Sequence, residues 1–327
     1  MKKLLALLLV LAMAFTAVAC ETSVAPAATE AKTDDSGEVT FDKTIRLVVP
    51  YDAGGGVYNT AIIIAAAAQE YLGQTVDVVC MSGNGGQEGI EFVYNQPSDG
   101  YTLLATDYGP LISTAIEEDV IYQLDEFTPI IEMTTTIPTF FVKADSPYQT
   151  MEELIEAAKA NPGTISVAHG KFHSVPHLPL IRLEQLAGVD FNEVPTSGGS
   201  EAKAFTLGGS VDVGASVPST IAGEVAEGLL RPLAVANDER APEFPDCPTL
   251  KELGYEVSMP AWYTIFAKSD VPENVRAALE KAFAAAIASD GAQATAKEAK
   301  IRLTGLDSKT SEASYKETIE NLKALLG

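Results

Sequence analysis

The chain has 327 residues, 46% apolar and 20% charged, the profile of an ordinary globular protein with room for two domains. Its formal net charge of −23 excludes a nucleic-acid-binding surface, which needs an excess of Lys and Arg, and argues against an anionic membrane surface as the main partner. Only three cysteines occur, Cys20, Cys80 and Cys247, with no CxxC, so neither a zinc knuckle nor a thioredoxin-type pair is present.

Residues 1–19 carry Lys2 and Lys3 ahead of an apolar run, Leu4 to Val18, too short to span a membrane comfortably, and end in small Ala19. This is a signal peptide. The cysteine that follows marks Cys20 as a lipidation site, with an incidental cysteine after an ordinary signal as the alternative. Residues 20–40 are rich in Thr, Ala, Ser, Asp and Glu without apolar period and read as a flexible tether. The expectation is a globule held outside the cytoplasmic membrane by a lipid anchor, at the periplasmic face or the cell surface, away from cytosolic nucleotides. Loss of Lys2 and Lys3 leaves 20 basic against 45 acidic residues, a net −25.

From Ile45 the chain alternates strands and helices. Ile45–Val49, Thr75–Met81 and Tyr101–Thr106 read as strands. The loops Gly54-Gly55-Gly56 and Gly83-Asn84-Gly85-Gly86 stand between them, each followed by a helix. The first of these helices contains Ala61–Ala68, apolar all round, which predicts burial. This βαβαβ unit calls for a parallel sheet. Ile137–Lys143 is a further strand leading out of the unit.

A second α/β unit begins near Ser146-Pro147. Thr150 and Glu153 form a capping box for a helix ending at Asn161-Pro162-Gly163. Strands at 164–168, 191–194, 211–215 and 232–236 alternate with helices near 178–187 and after Ser197–Ser200. Strand Trp262–Ala267 and helices near 273–288 and 311–325 form a tail predicted to pack back on the first unit. The division is 41–143 plus 262–327 for domain 1 and 144–261 for domain 2, with a cleft between.

In parallel α/β sheets ligands bind beyond the strand ends, where Gly-rich loops enter helices and present free N–H groups. Four loops meet this description: Tyr51–Gly56, Ser82–Gly86, His169–Ser174 and Thr196–Ser200. Together they read as an anion clamp. Catalytic motifs are missing: there is no G-x-S-x-G elbow and no Walker sequence, and Gly83-x-Gly85 continues to Glu88 where a dinucleotide fingerprint has its third glycine. No cofactor is predicted. All three histidines, His169, His173 and His177, are spaced by four. The spacing leaves open a zinc site, but Gly170 and Pro176 interrupt the helix it requires, so the histidines read chiefly as loop donors. An extracellular hydrolase with His169 or His173 as base lacks a nucleophile. Cys80 and Cys247 read as unpaired thiols rather than a disulfide across the cleft.

The motifs IRLVVPYDAGGG at 45–56, GNGGQEG at 83–89, PSDGYTLL at 97–104, MEELIEAAKANPGTISVAHG at 151–170, VDVGASVPS at 211–219 and LRPLAVANDERAPEFPDCPTLKELGY at 230–255 stand in one order. In that order they resemble the substrate-binding receptors of tripartite tricarboxylate transporters, the Bug-type extracytoplasmic solute receptors. The resemblance implies an α/β, bilobal periplasmic-binding-protein fold of type II, closing on a small organic acid without catalysis. It implies delivery to membrane permease subunits. A di- or tricarboxylate, an acidic amino acid or an aromatic acid is the ligand class. By motif position it assigns binding to Tyr51, Asp52, Gly54, Gly55, Gly56, Ser82, Asn84, Gly85, Gly86 and Thr106 in the first domain. In the second it assigns His169, Gly170, His173, Ser174, Thr196, Ser197, Gly198 and Ser216. Asp52 departs from the family pattern, in which this loop position is neutral, and Tyr58 and Ile62 stand where Asp and Arg are frequent.

Overall fold

The computed structural model describes residues 32–33 and 39–326. The signal peptide, Cys20 and most of the tether lie outside the described residues. Within the tether, Lys32–Thr33 pairs antiparallel with Val39–Thr40.

The expected βαβαβ unit is β1 (Ile45–Val49), α1 (Gly56–Leu72), β2 (Val76–Cys80), α2 (Gln87–Tyr94) and β3 (Thr102–Thr106). β1 lies between β2 and β3, parallel to both. Residues of β1 alternate sides: Ile45, Leu47 and Val49 pack under α1 and the tail helices, while Val48 joins the apolar cluster on the opposite face. α1 is not buried all round. Ala61, Ile64, Ala65 and Ala68 are buried, but Ile62 is exposed, because the helix lies on the surface of the sheet with one flank in solvent.

The sheet has six strands. β4 (Phe127–Thr136), β10 (Ala261–Lys268) and β11 (Leu303–Leu306) complete it in the order β11-β4-β10-β3-β1-β2. β4 went unread in the sequence, since Thr134, Thr135 and Thr136 and an internal Pro129 hide its apolar run.

The second lobe has five strands: β5 (Thr139–Lys143), β6 (Ser166–His169), β7 (Asn192–Pro195), β8 (Val213–Ser216) and β9 (Leu230–Val235), in the order β9-β5-β8-β6-β7. Its helices are α3 (Met151–Ala160), α4 (His177–Ala187), α5 (Gly199–Leu207) and α6 (Pro218–Ala226). Thr150 caps α3 as expected, its hydroxyl accepting from the Glu153 N–H. β5 corrects the domain boundary. Assigned by sequence to domain 1, it pairs antiparallel with β8 and β9, so the first crossing is at Ile137–Pro138. The other end is off by one residue: Ala261 already belongs to the first sheet, opposite Thr136. The tail helices α7 (Glu273–Ala288), α8 (Asp290–Glu298) and α9 (Ser308–Leu326) return to the first lobe, as predicted. Leu279 and Phe283 of α7 enter the core beneath α1, and Tyr315 of α9 packs on Trp262 and Phe266.

Both sheets share one plan. The first three parallel strands run in the order second, first, third, and a strand antiparallel to them follows the third. This is a bilobal α/β fold with two crossings. Cys80 and Cys247 sit in different lobes as free thiols. Among the described residues no helix is long and apolar enough to cross a membrane.

Candidate functional site

A cavity of about 400 Å³ lies between the lobes. Four helices begin on its wall: α1 at Gly55-Gly56, α4 at Pro176, α5 at Gly198-Gly199 and α6 at Val217. None of the four has a side chain capping its first turn. The first N–H groups of a helix have no partner within the helix and carry its positive end. Free N–H groups remain at α1 and α5; α4 spends those of His177 and Leu178 on the Ser174 carbonyl and has Pro179 next, and α6 opens on Pro218, so these two ends act on an anion through their dipoles. Val57, Val175 and Val217 add apolar surface.

The lining also holds three carboxyl groups, Asp52, Asp107 and Glu201, and, among the described residues, no Lys or Arg. Asp107 is 4% exposed. Its Oδ1 accepts from the Tyr51 hydroxyl at 2.8 Å and from the Gly109 N–H at 2.8 Å. Burial pushes this carboxyl up to about 6, with the two hydrogen bonds working the other way. Burial and the nearby Asp107 raise the phenols of Tyr51 and Tyr263 well above the ordinary tyrosine range. Ser174 and Ser216 line the same space, their hydroxyls buried and without a protein partner.

The lobes are tied across the rim. Lys171 Nζ donates to the Ser82 carbonyl at 3.0 Å. His173 Nδ1 is paired with Glu117 of the first lobe. Asp52, exposed at the rim, accepts from the Ser82 hydroxyl of its own lobe and lies near Ser197 and Lys171 of the other, and these neighbours hold it below the usual carboxylate range. Asp52 is thus a rim residue and not a cap on α1.

The lining takes in nine of the residues predicted from sequence: Tyr51, Asp52, Gly55, Gly56, Gly170, Ser174, Ser197, Gly198 and Ser216. Gly54 is one step outside. The second Gly loop is not on the wall. It folds on itself, the Gly86 N–H donating to the carbonyls of Ser82 and Gly83, and the Glu88 N–H of α2 to that of Gly83. Gly86 has φ +91° and lies against the Pro50 carbonyl, so the loop braces the first one. Gly85 faces the Lys171 side chain, and Asn84 takes a left-handed φ of +45°. Thr106 is buried at the end of β3, Oγ1 donating to the Asp107 carbonyl. Thr196 bonds the carbonyls of His169 and Gly198, shaping the loop that opens α5. Sequence reasoning missed Asp107, Glu201 and Tyr263. Asp107 follows directly on the strand end at Thr106, which is the one signal that marks it.

The three histidines do not share a helical face. His169 ends β6, His173 takes a left-handed φ of +57° in the loop, and His177 starts α4. His169 and His177 stack with centroids 4.1 Å apart and planes 12° apart, behind the cavity wall. Their nitrogens and a Glu193 oxygen lie within 4.8 Å of one another. His177 Nδ1 accepts the His173 N–H at 2.6 Å, so its proton sits on Nε2, 2.9 Å from Glu193 Oε2. That tautomer removes the Nε2 lone pair a metal needs, and parallel rings aim their lone pairs side by side rather than at one point. His169 and His177 hold Glu193 well below its usual range, burial lowers His177, and burial beside Glu193 pushes Glu184 up to about 7. The arrangement is a carboxylate held by imidazoles.

Comparison with known proteins bears on this site. A family described as Tripartite tricarboxylate transporter family receptor matches residues 61–325. A protein from the tcbD–tcbE intergenic region of a Pseudomonas species is 32% identical over 252 residues, 74% of each chain. The solved periplasmic binding protein BugD superposes with a TM-score of 0.82 at 26% identity, over 87% of this chain and 97% of BugD. MatC from Rhodopseudomonas palustris, solved with bound malate, gives 0.82 at 25% identity, over 87% and 99%. The family and BugD are described as a receptor and a binding protein, not as enzymes, in keeping with the missing catalytic motifs.

Proposed function

Because the chain belongs to the tripartite tricarboxylate transporter receptor family, we propose that it is an extracytoplasmic lipoprotein that captures a small organic carboxylate between its lobes and delivers it to the membrane permease subunits of such a transporter. The observation that carries the reading is the convergence of four helix N-termini on one inter-lobe cavity. Uncapped N–H groups and helix dipoles stabilise a carboxylate without a formal cation, which is how a chain of net charge −23 takes an acid. Whole-surface charge governs encounter and solubility, whereas the local field at the wall governs capture. Malate in MatC sets the size class of ligand to try first. The anchor would be a lipid on Cys20, with residues 20–40 as tether.

Isothermal titration of ligand-stripped protein against di- and tricarboxylates, amino acids and aromatic acids tests the receptor reading. Saturable one-to-one binding of at least one acid is expected, and no binding of any rejects it. Cys20→Ser should release the protein from the membrane fraction into the soluble extract. Retention of this variant in the membrane would reject the anchor.

A further inference from the structure

We propose that the ligand carries a protonated amine as well as a carboxylate, and that Asp107 is the counter-ion of that amine; the inference rests on the carboxylate-receptor reading above. The cavity is bipolar. Helix N-termini supply its positive side, and Asp52, Asp107 and Glu201 supply its negative side. A plain dicarboxylate would answer only the first and would crowd further negative charge against the second.

Asp107 stands apart from the other two. Asp52 is satisfied by Ser82, and Glu201 accepts from the Ser197 N–H and hydroxyl. Asp107 is buried, and both of its donors fall on Oδ1, leaving Oδ2 to a ligand. A buried carboxylate with no cation beside it is costly, and in keeping with that its proton is held up to about 6. An ammonium group entering with the ligand supplies the missing charge, and in a closed cavity such a charge-assisted hydrogen bond is strong. Ser174 and Ser216 give independent testimony that something polar belongs here. Both residues line the cavity, at 5% and 2% exposure, and their hydroxyls, set against the wall glycines Gly170 and Gly199, have no protein partner, a state in which such groups are rarely left.

The test uses matched acids that differ only by the amine: glutamate against glutarate, 4-aminobutanoate against butanoate, leucine against 4-methylpentanoate. At pH 7.5 the amine-bearing member of at least one pair should bind ten-fold or more tighter than its partner, and Asp107→Asn should erase that advantage without weakening the amine-free acid. If amine-free acids bind as well or better, this inference falls and the receptor reading stands. If neither series binds, both fall. Should Asp107→Asn fail to fold, the wild-type protein decides by pH. Between pH 7.5 and 5 the amine-bearing ligand should lose affinity as Asp107 takes up its proton, while an amine-free acid gains. The groups facing Asp107 are Tyr51, Tyr108 and Tyr263, all raised and so protonated throughout this range, with Asp52, lowered, and Glu201 elsewhere on the lining. A pH profile of the same sign for both series overturns the assignment of Asp107.

Discussion

The Lys171 ammonium of the second lobe donates to the main-chain carbonyl of Ser82 in the first, over 3.0 Å. Burial lowers the Lys171 pKa, and Asp52 nearby offsets part of the effect. With His173–Glu117 it forms a pair of polar ties at the cavity mouth. These ties exist only when the lobes meet, so they favour the closed form over the open one. Lys171→Met removes a charged hydrogen bond worth about 1 kcal/mol after solvent competition, a loss of roughly three- to ten-fold in affinity. The loss should fall on the dissociation rate, measured by stopped-flow chase with the tightest acid found in the titration. An unchanged dissociation rate would mean that the tie contributes nothing to closure.

Gly56 separates binding from folding. A methyl group there would lie 2.5 Å from the Tyr263 hydroxyl and 3.0 Å from Val217 of the other lobe. Gly56→Ala should cost at least ten-fold in affinity and leave Tm within a few degrees, since lobe separation relieves part of the clash. Gly86→Ala should behave the opposite way. Its φ of +91° and the Pro50 carbonyl at 2.9 Å put strain on backbone that cannot move aside, so Tm should drop by several degrees with a ΔΔG of about 1–3 kcal/mol. Equal thermal losses in the two variants would contradict this division.

Ligand-free stability should carry the signature of Asp107. Its folded pKa is raised, so its contribution is fully present below the unfolded value near 4 and is lost as pH rises through about 6. Asp107→Asn keeps an oxygen for Tyr51 and Gly109 and removes the buried charge. The variant should therefore melt above the wild type at pH 8, by an amount on the order of 1–3 kcal/mol, and the gap should close by pH 4. Thermal melts across that range check it, and a gap constant with pH would show that the charge is not the cause.

Glu193 has the opposite sign. The neighbouring His169 ring and a hydrogen bond from His177 depress it, so its stabilisation is present at neutral pH and is lost as pH falls below about 4. Glu193→Ala leaves the buried His177 Nε2–H without its acceptor and should cost about 1–3 kcal/mol at pH 7. Zinc at micromolar concentration should leave the wild-type melting curve unmoved, because the His177 proton sits on Nε2. Stoichiometric zinc in purified protein, lost in His169→Ala, would overturn that assignment.

Much of the fold was legible in sequence because glycine loops and capping residues punctuate it locally. Thr150 and Glu153 announced α3, and Asn161-Pro162-Gly163 its end. β4 was not legible, since a strand with threonines and Pro129 has neither alternation nor a continuous apolar run. The lobe assignment of β5 was not legible either, because pairing partners are a tertiary choice that Ile137-Pro138 does not reveal. At the site, loops that follow strands pointed to eight cavity residues and the family resemblance to Ser216, yet sequence cannot say which loop reaches the cavity wall. Tyr51–Gly56 does, and Ser82–Gly86 lies behind it, Gly86 against Pro50. Asp107 and Tyr263 come from strand ends without any motif, and only topology brings them to Tyr51.

Thr136 and Ala261 are ladder partners, so the second lobe leaves and re-enters the first sheet at a single point. For a chain emerging from its N-terminus this fixes a schedule. β10, which joins β3 to β4, is made only after the whole second lobe, so the first sheet waits as two unjoined parts while the inserted lobe has every strand it needs. The lobe synthesised later is the one able to finish earlier, and the binding cavity comes into being last, when β10 zips the first sheet shut.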